Sequence, residues 1–410
     1  MKKLLVFFFL FKLIISFSNT IIVGKGKPIN SLKKAIEIAN NNDTIIVNAG
    51  HYKEGNITIN KKLTLIGINH PIFNGEKKHE IFSVKHDSVT ISGFKIINCS
   101  YGSINDPAAI KTYNVNNIVI ENNILDNNFF GIYIQFGANC IIKKNYLKAY
   151  GKKELESGNG IHCWKSKNIQ IINNKIEGHR DGIYFEFVSD SIIWRNIVQN
   201  NIRYGLHFMF SHNDSYITNV FRNNGAGVAV MYTKNVTMVN NLFDKNWGQA
   251  AYGLLLKEIT DSHILNNKFI KNTSGIYMEG SNRIIFKNNL FKDNGWAVKV
   301  QASCENNNFV YNNFTGNTFD MGTNGSLVLN TFNNNYWDKY DGYDLNKDGI
   351  GDVPFHPLSL FSVITESNPS AMLLYRSFMI SLLDKSEKIL PSITPDNFED
   401  LKPLMKPIKL

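Results

Sequence analysis

Beyond its first twenty residues the chain has no apolar run long enough to cross a bilayer, so nothing in the body reads as a membrane span. Cysteine is scarce: Cys99, Cys140, Cys163 and Cys304 are all there are in 410 residues. They show no CxxC pairing, which excludes a disulfide-dense scaffold; buried thiols are expected, with Cys140 and Cys163 as the one pair that spacing leaves open. Positive charge is plentiful, at +10 net, but never gathered. Lysines are scattered among asparagines and three of them (Lys2, Lys3, Lys12) lie in the first segment, so a solvated surface is expected and a nucleic-acid groove is not. The middle of the chain also lacks any helical period and any leucine columns. At the same time 43% of the residues are hydrophobic, enough for a large core.

The opening "MKKLLVFFFLFKLIISFSNT" puts Lys2 and Lys3 ahead of an apolar stretch, with Ser16 and Ser18 spaced for cleavage. We read residues 1–18 as an export signal, the alternative being a membrane anchor interrupted by Lys12; both export the body.

The body is dominated by a repeat. Glycines open successive alternating strands at Gly131 (GIYI), Gly160 (GIHCW), Gly182 (GIYFEF), Gly205 (GLHFMF), Gly227 (GVAVMY), Gly253 (GLLLKE) and Gly275 (GIYMEG), at intervals of 29, 22, 23, 22, 26 and 22. A second column, Asn123, Asn145, Asn174, Asn196, Asn219, Asn241, Asn267 and Asn289, keeps the same insertions. A period near 22 with β-branched residues predicts an all-β fold, a parallel β-helix whose coils bury their apolar faces only by stacking. Stacked asparagines one strand spacing apart, about 4.8 Å, would hydrogen-bond in a ladder. The expected organisation is an N-terminal cap over 19–62, coils over 63–336, an Asp-rich capping loop over 337–360 and an amphipathic tail over 361–410. Within the cap, Ser31 should N-cap a helix that buries Leu32, Ala35, Ile36 and Ala39.

Alternation from each glycine turns Ile161, Cys163, Ile183, Phe185, Leu206, Phe208, Val228 and Val230 inward. It turns His162, Trp164, Tyr184, Glu186, His207, Met209, Ala229 and Met231 outward, to solvent or a partner. On this geometry His207 and Met209 would lie about 7 Å apart along one strand, Met209 and Met231 about 5 Å apart across coils, and His162 roughly 10 Å from His207. Imidazole with thioether is a soft donor set that suits Cu(I). Aromatic and methionine side chains on an open face suit protein docking equally, and a sugar site stays open as well. Trp164, Tyr184 and Glu186, with His179, Arg180 and Asp181 beside them, could serve any of the three.

Two stretches lie outside the repeat. "DLNKDGIGD" spaces Asp344, Asn346, Asp348 and Asp352 as in a calcium loop, with Gly349 at the turn, but Phe355 stands where the closing Glu belongs, so a bound calcium and a plain turn are both open. "SAMLLYRSFMISLLDKSEKIL" has a helical apolar face suited either to packing along the solenoid or to docking. Met405 in "PLMKP" is a further isolated soft donor.

The stretches "GHRDGIYFEF", "RYGLHFMFS", "GAGVAVMYTKN", "YGLLLKEI", "WAVKVQASC", "YWDKYDGYDLNKDGIGDVP" and "PLMKP" together resemble the NosD family, in order along nearly the whole body. The resemblance implies a right-handed parallel β-helix and a periplasmic accessory protein, not an enzyme, that works with an ABC transporter's permease and ATPase. It further implies copper received from a chaperone lipoprotein and delivered to the copper-sulfur centre of nitrous oxide reductase, with the tail from Phe361 onward contacting the permease. No motif of the family fixes ligands, so His207, Met209, Met231 and His162 rest on alternation alone. The competing expectation is a carbohydrate-active or carbohydrate-binding β-helix: lyase, epimerase or adhesin. A glycosidase needs paired carboxylates, and Glu186 and Glu279 would lie roughly 19 Å apart, at equivalent outward positions four coils from one another.

Overall fold

A computed structural model describes residues 18–102, 105–248, 251–325, 329–389 and 398–409. Nearly all of the export signal expected over 1–18 lies outside the described residues. What is described is a right-handed parallel β-helix. A typical coil carries three short strands, as in Tyr204–Met209, Ser215–Ile217 and Val220–Arg222, and each of these three pairs in parallel with its equivalents in the coils before and after. Among the described residues this joins 25 strands in one sheet and 13 in another.

The columns have simple physical causes. A Cβ at Gly205 would lie 2.6 Å from the carbonyl oxygen of Gly227, so nothing larger than glycine fits where coils approach there. In the asparagine column, Asn219 Oδ1 accepts from both the backbone N–H and the Nδ2 of Asn196, while its own Nδ2 donates to Ile193 O and to Asn241. Each buried turn amide thus finds a partner, at a net gain of about 1 kcal/mol per bond. A second ladder runs alongside, from Asn201 through Asn224, Asn246, Asn272 and Asn294 to Asn317. Between the ladders the core is stacked aromatic: Phe243, Phe269, Phe291, Phe314 and Trp337 follow one another at ring separations of 4.6, 4.9, 4.8 and 4.0 Å.

Both ends are covered. Helix α1 (Leu32–Ile38) buries Leu32, Ala35 and Ile36, and Ser31 caps it as expected, assisted by Glu54, whose carboxylate accepts from Leu32 and Lys33 N–H. The boundary expected at residue 62 is not a break, however, because Thr20–Val23 pairs with Thr44–Val47 and that strand with Thr64–Gly67. At the far end the tail divides. Residues 398–409 close the last coil: Phe398 extends the Phe286, Phe309, Phe332 stack, and buried Asp400 takes the next place in the asparagine ladder. Its Oδ2 accepts from Asn335 N, Asn335 Nδ2 and Trp337 Nε1. The expectation that all of 361–410 serves docking is therefore corrected for this segment, whose Phe398 and Asp400 are consumed in capping. Helix α2 (Leu360–Ser367) packs on the solenoid wall, with Phe361 against Phe319 and Glu366 2.6 Å from Lys299. Helix α3 (Phe378–Ile389) leaves Phe378, Met379 and Leu382 exposed.

Candidate functional site

The strands Ile161–Trp164, Asp181–Glu186, Tyr204–Met209 and Ala226–Lys234 stack in register. All eight inward residues are buried as alternation requires. Two outward rows result: His162, Tyr184, His207, Ala229, and beside it Trp164, Glu186, Met209, Met231. The second row is half-buried. The first is not open as expected, since His162 is 7% exposed and His207 6%. The cause is what lies over them. Tyr133 stacks on His162 at 4.4 Å, Tyr184 and Tyr204 flank His207 at 4.8 Å, and Arg203 and Asp181 close the side nearest the insertion that carries the turn Glu154–Glu156.

Asp181 is the electrostatic centre. Arg203 grips it with two bonds, Nε to Oδ1 at 2.9 Å and Nη2 to Oδ2 at 2.6 Å. His207 Nδ1 stands 3.7 Å from the same carboxylate, an ion-pair distance too long for a hydrogen bond. Burial by itself would raise the Asp181 pKa, but the histidine and the arginine outweigh it and hold the group below its ordinary value. His162 is pushed down to about 3 by burial and by the positive Arg180, so its imidazole is neutral at physiological pH. Neither nitrogen of His207 nor Nε2 of His162 makes a hydrogen bond within the protein. Buried polar atoms without partners are uncommon and mark places where a ligand or water belongs.

The methionines adjoin this cluster. Met209 and Met231 are register partners on neighbouring coils, and Tyr184 Oη donates to Met209 Sδ at 3.5 Å. The Tyr184 ring lies between the two imidazoles, 4.8 Å from each, so His162 and His207 do not face a common point. Among the described residues no three His, Cys, Asp or Glu side chains converge to hold a metal ion. The Asp344–Asp352 loop fits that statement. Asp344 accepts from Asp348 and Gly349 N–H, Asp348 from Ile350 N–H, Asn346 from Asp348 N–H and Asp352 from Leu345 N–H, so the four side chains close their own turn and form no cation cage. All four cysteines are free and buried, Cys140 and Cys163 included.

Two features escaped the residue reading. The first is a row of aromatic side chains at the corner following each strand: Phe136, Phe187, Phe210 and Tyr232, 41%, 46%, 37% and 40% exposed. The signal was present, as an aromatic five residues after each glycine in GIYIQF, GIYFEF, GLHFMF and GVAVMY. The second is a cleft of about 260 Å³ between residues 99–101 and 149–157, lined by Tyr101, Phe129, Tyr150, Lys77 and Glu156. None of the expected site residues lines it.

Comparison with known proteins follows from this geometry. Residues 148–342 match the family model described as "Periplasmic copper-binding protein (NosD)". The chain is 28% identical over 307 residues to the probable ABC transporter binding protein NosD of Stutzerimonas stutzeri, covering 70% of this chain and 69% of that one. It is 27% identical over 380 residues to the protein of the same description from Pseudomonas aeruginosa, covering 87% of each. Among solved structures, the catalytic domain of a GH87 α-1,3-glucanase variant in complex with tetrasaccharides superposes with TM-score 0.51 at 12% identity, over 78% of this chain and 69% of that one. That likeness is one of fold alone.

Proposed function

The chain belongs to the NosD family, and on that footing we propose that it works in the periplasm as a copper carrier for the copper-sulfur centre of nitrous oxide reductase. In this reading it takes the metal from a chaperone lipoprotein and acts alongside the permease and ATPase of an ABC transporter. The observation that carries the proposal is the pair of buried imidazoles with unsatisfied nitrogens beside two methionines in register. Neutral imidazole and thioether are soft ligands that favour Cu(I) over hard cations, and a histidine must be neutral to bind. His207, Met209 and Met231 would form the primary contact. His162, beyond the Tyr184 ring, would form a separate station.

A catalytic role has less support. Glu186 and Glu279 share one outward row but are separated in it by Met209, Met231 and Lys257, so these two do not form an acid–base pair. For the Asp344–Asp352 loop a turn is better supported than calcium, because its oxygens already serve backbone amides.

The test is Cu(I) binding to residues 19–410 by competition with a chromophoric chelator, for the wild type and the His207→Ala, Met209→Ala double variant. Tight binding that falls at least tenfold in the variant is expected. Equal affinity in the two proteins would remove these residues from the copper path.

A further inference from the structure

Resting on the copper-carrier reading, we infer that Tyr184 is a positioning residue for the copper contact: its phenol holds the thioether of Met209 in place for the metal, while Met231 stays free to move. The strand register puts Tyr184 between His162 and His207 in one outward row, with Met209 one coil further on in the neighbouring row. From there its Oη donates to Met209 Sδ at 3.5 Å, sulfur being a weak acceptor. Of the three side chains proposed as the primary contact, Met209 is the one that is hydrogen-bonded. Both nitrogens of His207 lack partners, and Met231 Sδ accepts no bond among the described residues.

The bond matters because of what methionine is. An unbranched side chain with three rotatable bonds keeps much of its rotamer freedom when half-buried, and a metal that binds it must take that freedom away. A sulfur already held by a hydrogen bond has lost part of it before the metal arrives, which is preorganisation. The O–H engages one lone pair of the thioether and leaves the other for a soft ion. Tyr184 is itself well held, as positioning requires. Its ring lies 4.8 Å from the His162 ring at 75° and 4.8 Å from the His207 ring at 41°. Its proton is always available, because burial first and the Glu186 charge second push the phenol up to about 12. Met231 supplies the contrast. It is the register partner of Met209 and equally half-buried, but the residue that stands to it as Tyr184 stands to Met209 is His207, which makes no bond to it. The two thioethers are therefore unequal: Met209 is set in advance for the ion, and Met231 must be ordered by it.

The test is Tyr184→Phe, which keeps the ring between the imidazoles and removes only the O–H. Two quantities are measured on residues 19–410: the NMR order parameters of isotope-labelled methionine methyl groups in the copper-free protein, and Cu(I) affinity by chelator competition. Met209→Leu and Met231→Leu assign the two methyl signals. In the wild type the Met209 methyl should be the more ordered of the two, and in Tyr184→Phe it should become as mobile as that of Met231. Cu(I) affinity should fall about fivefold in Tyr184→Phe, the scale of part of a methionine's rotamer freedom. On a Met209→Leu background, Tyr184→Phe should lower the affinity no further, a result that general loosening of the strand would not give. Cu(I) binding by the wild type, with a Met209 methyl whose order does not depend on the O–H, overturns the positioning role alone. So does an affinity loss that persists on the Met209→Leu background, because the phenol then acts by another route. A wild type that binds no Cu(I) overturns the carrier reading and this inference with it.

Discussion

Asp214 offers the sharpest test of how the solenoid interior is built. It faces inward, fully buried; Oδ1 accepts from Ser191 N–H at 2.8 Å, and Oδ2 has no partner. Burial raises its pKa from 3.8 to about 8, with the Ser191 contact pulling down and Asp190 pushing up. Because the folded state holds the proton more tightly than the unfolded chain, the stability linked to this group is present at low pH and is lost as pH rises from about 4 towards 8. Each pH unit in that window removes about 1.4 kcal/mol, which amounts to about 4 kcal/mol by pH 7. Asn307, four coils further along the same column, shows how an amide solves the problem: it accepts from Ile284 N–H and donates to Ser281 O. Asp214→Asn should therefore be stabilising, by an amount that grows with pH. The assay is the thermal midpoint of both proteins from pH 5 to 8, together with native-state hydrogen exchange of Ser215–Ile217, because a solenoid can open one coil at a time. Titrations shared by the two proteins cancel in the difference. A difference that does not change with pH would refute the reasoning.

The other expectations concern the ends and the metal. Asp400→Ala should expose the last coil, leaving Asn335 and Trp337 donors unpaired at a local cost of about 3 kcal/mol, seen as faster hydrogen exchange over 329–337 without change in the central coils. Glu366→Ala should loosen helix α2 from Lys299 and Trp296, raising exchange in Leu360–Ser367 and leaving Cu(I) affinity as it was. Since His162 is already neutral, its share of Cu(I) binding should not vary between pH 5 and 8. A His162→Ala variant whose affinity deficit disappears at pH 5 would contradict that.

The repeat was legible because its causes are local to one coil: a glycine where a Cβ would strike the next backbone, an asparagine where a turn amide needs an acceptor. The inward residues followed from alternation for the same reason. The burial of His162 and His207 was not legible, because alternation says only which side of the wall a residue occupies. What covers that side comes from Tyr133, Tyr204 and Arg203 and from an insertion whose path the period does not encode. The end cap was hidden for a related reason. Asp400 joins the asparagine ladder across 65 residues of sequence, through an acidic side chain that no repeat announces.

These covers also explain where the outward face remains accessible. On the N-terminal side, Tyr133 continues the His162 row and stacks on His162, with the Glu154–Glu156 turn beside Arg203. On the C-terminal side, Lys299, in the same row as His207, is engaged by Glu366 of helix α2. Between them lie Met209 and Met231, half-buried, with the aromatic corner alongside. A rigid ladder fixes the spacing of these groups, so the donors cannot gather round an ion as a flexible loop could. Were the chain the copper carrier proposed above, it would hold too few ligands in reach for a closed cage. On the proposed copper-carrier reading, a partner protein would supply the missing ligand and draw the metal away, which is the property a relay needs and a storage site does not.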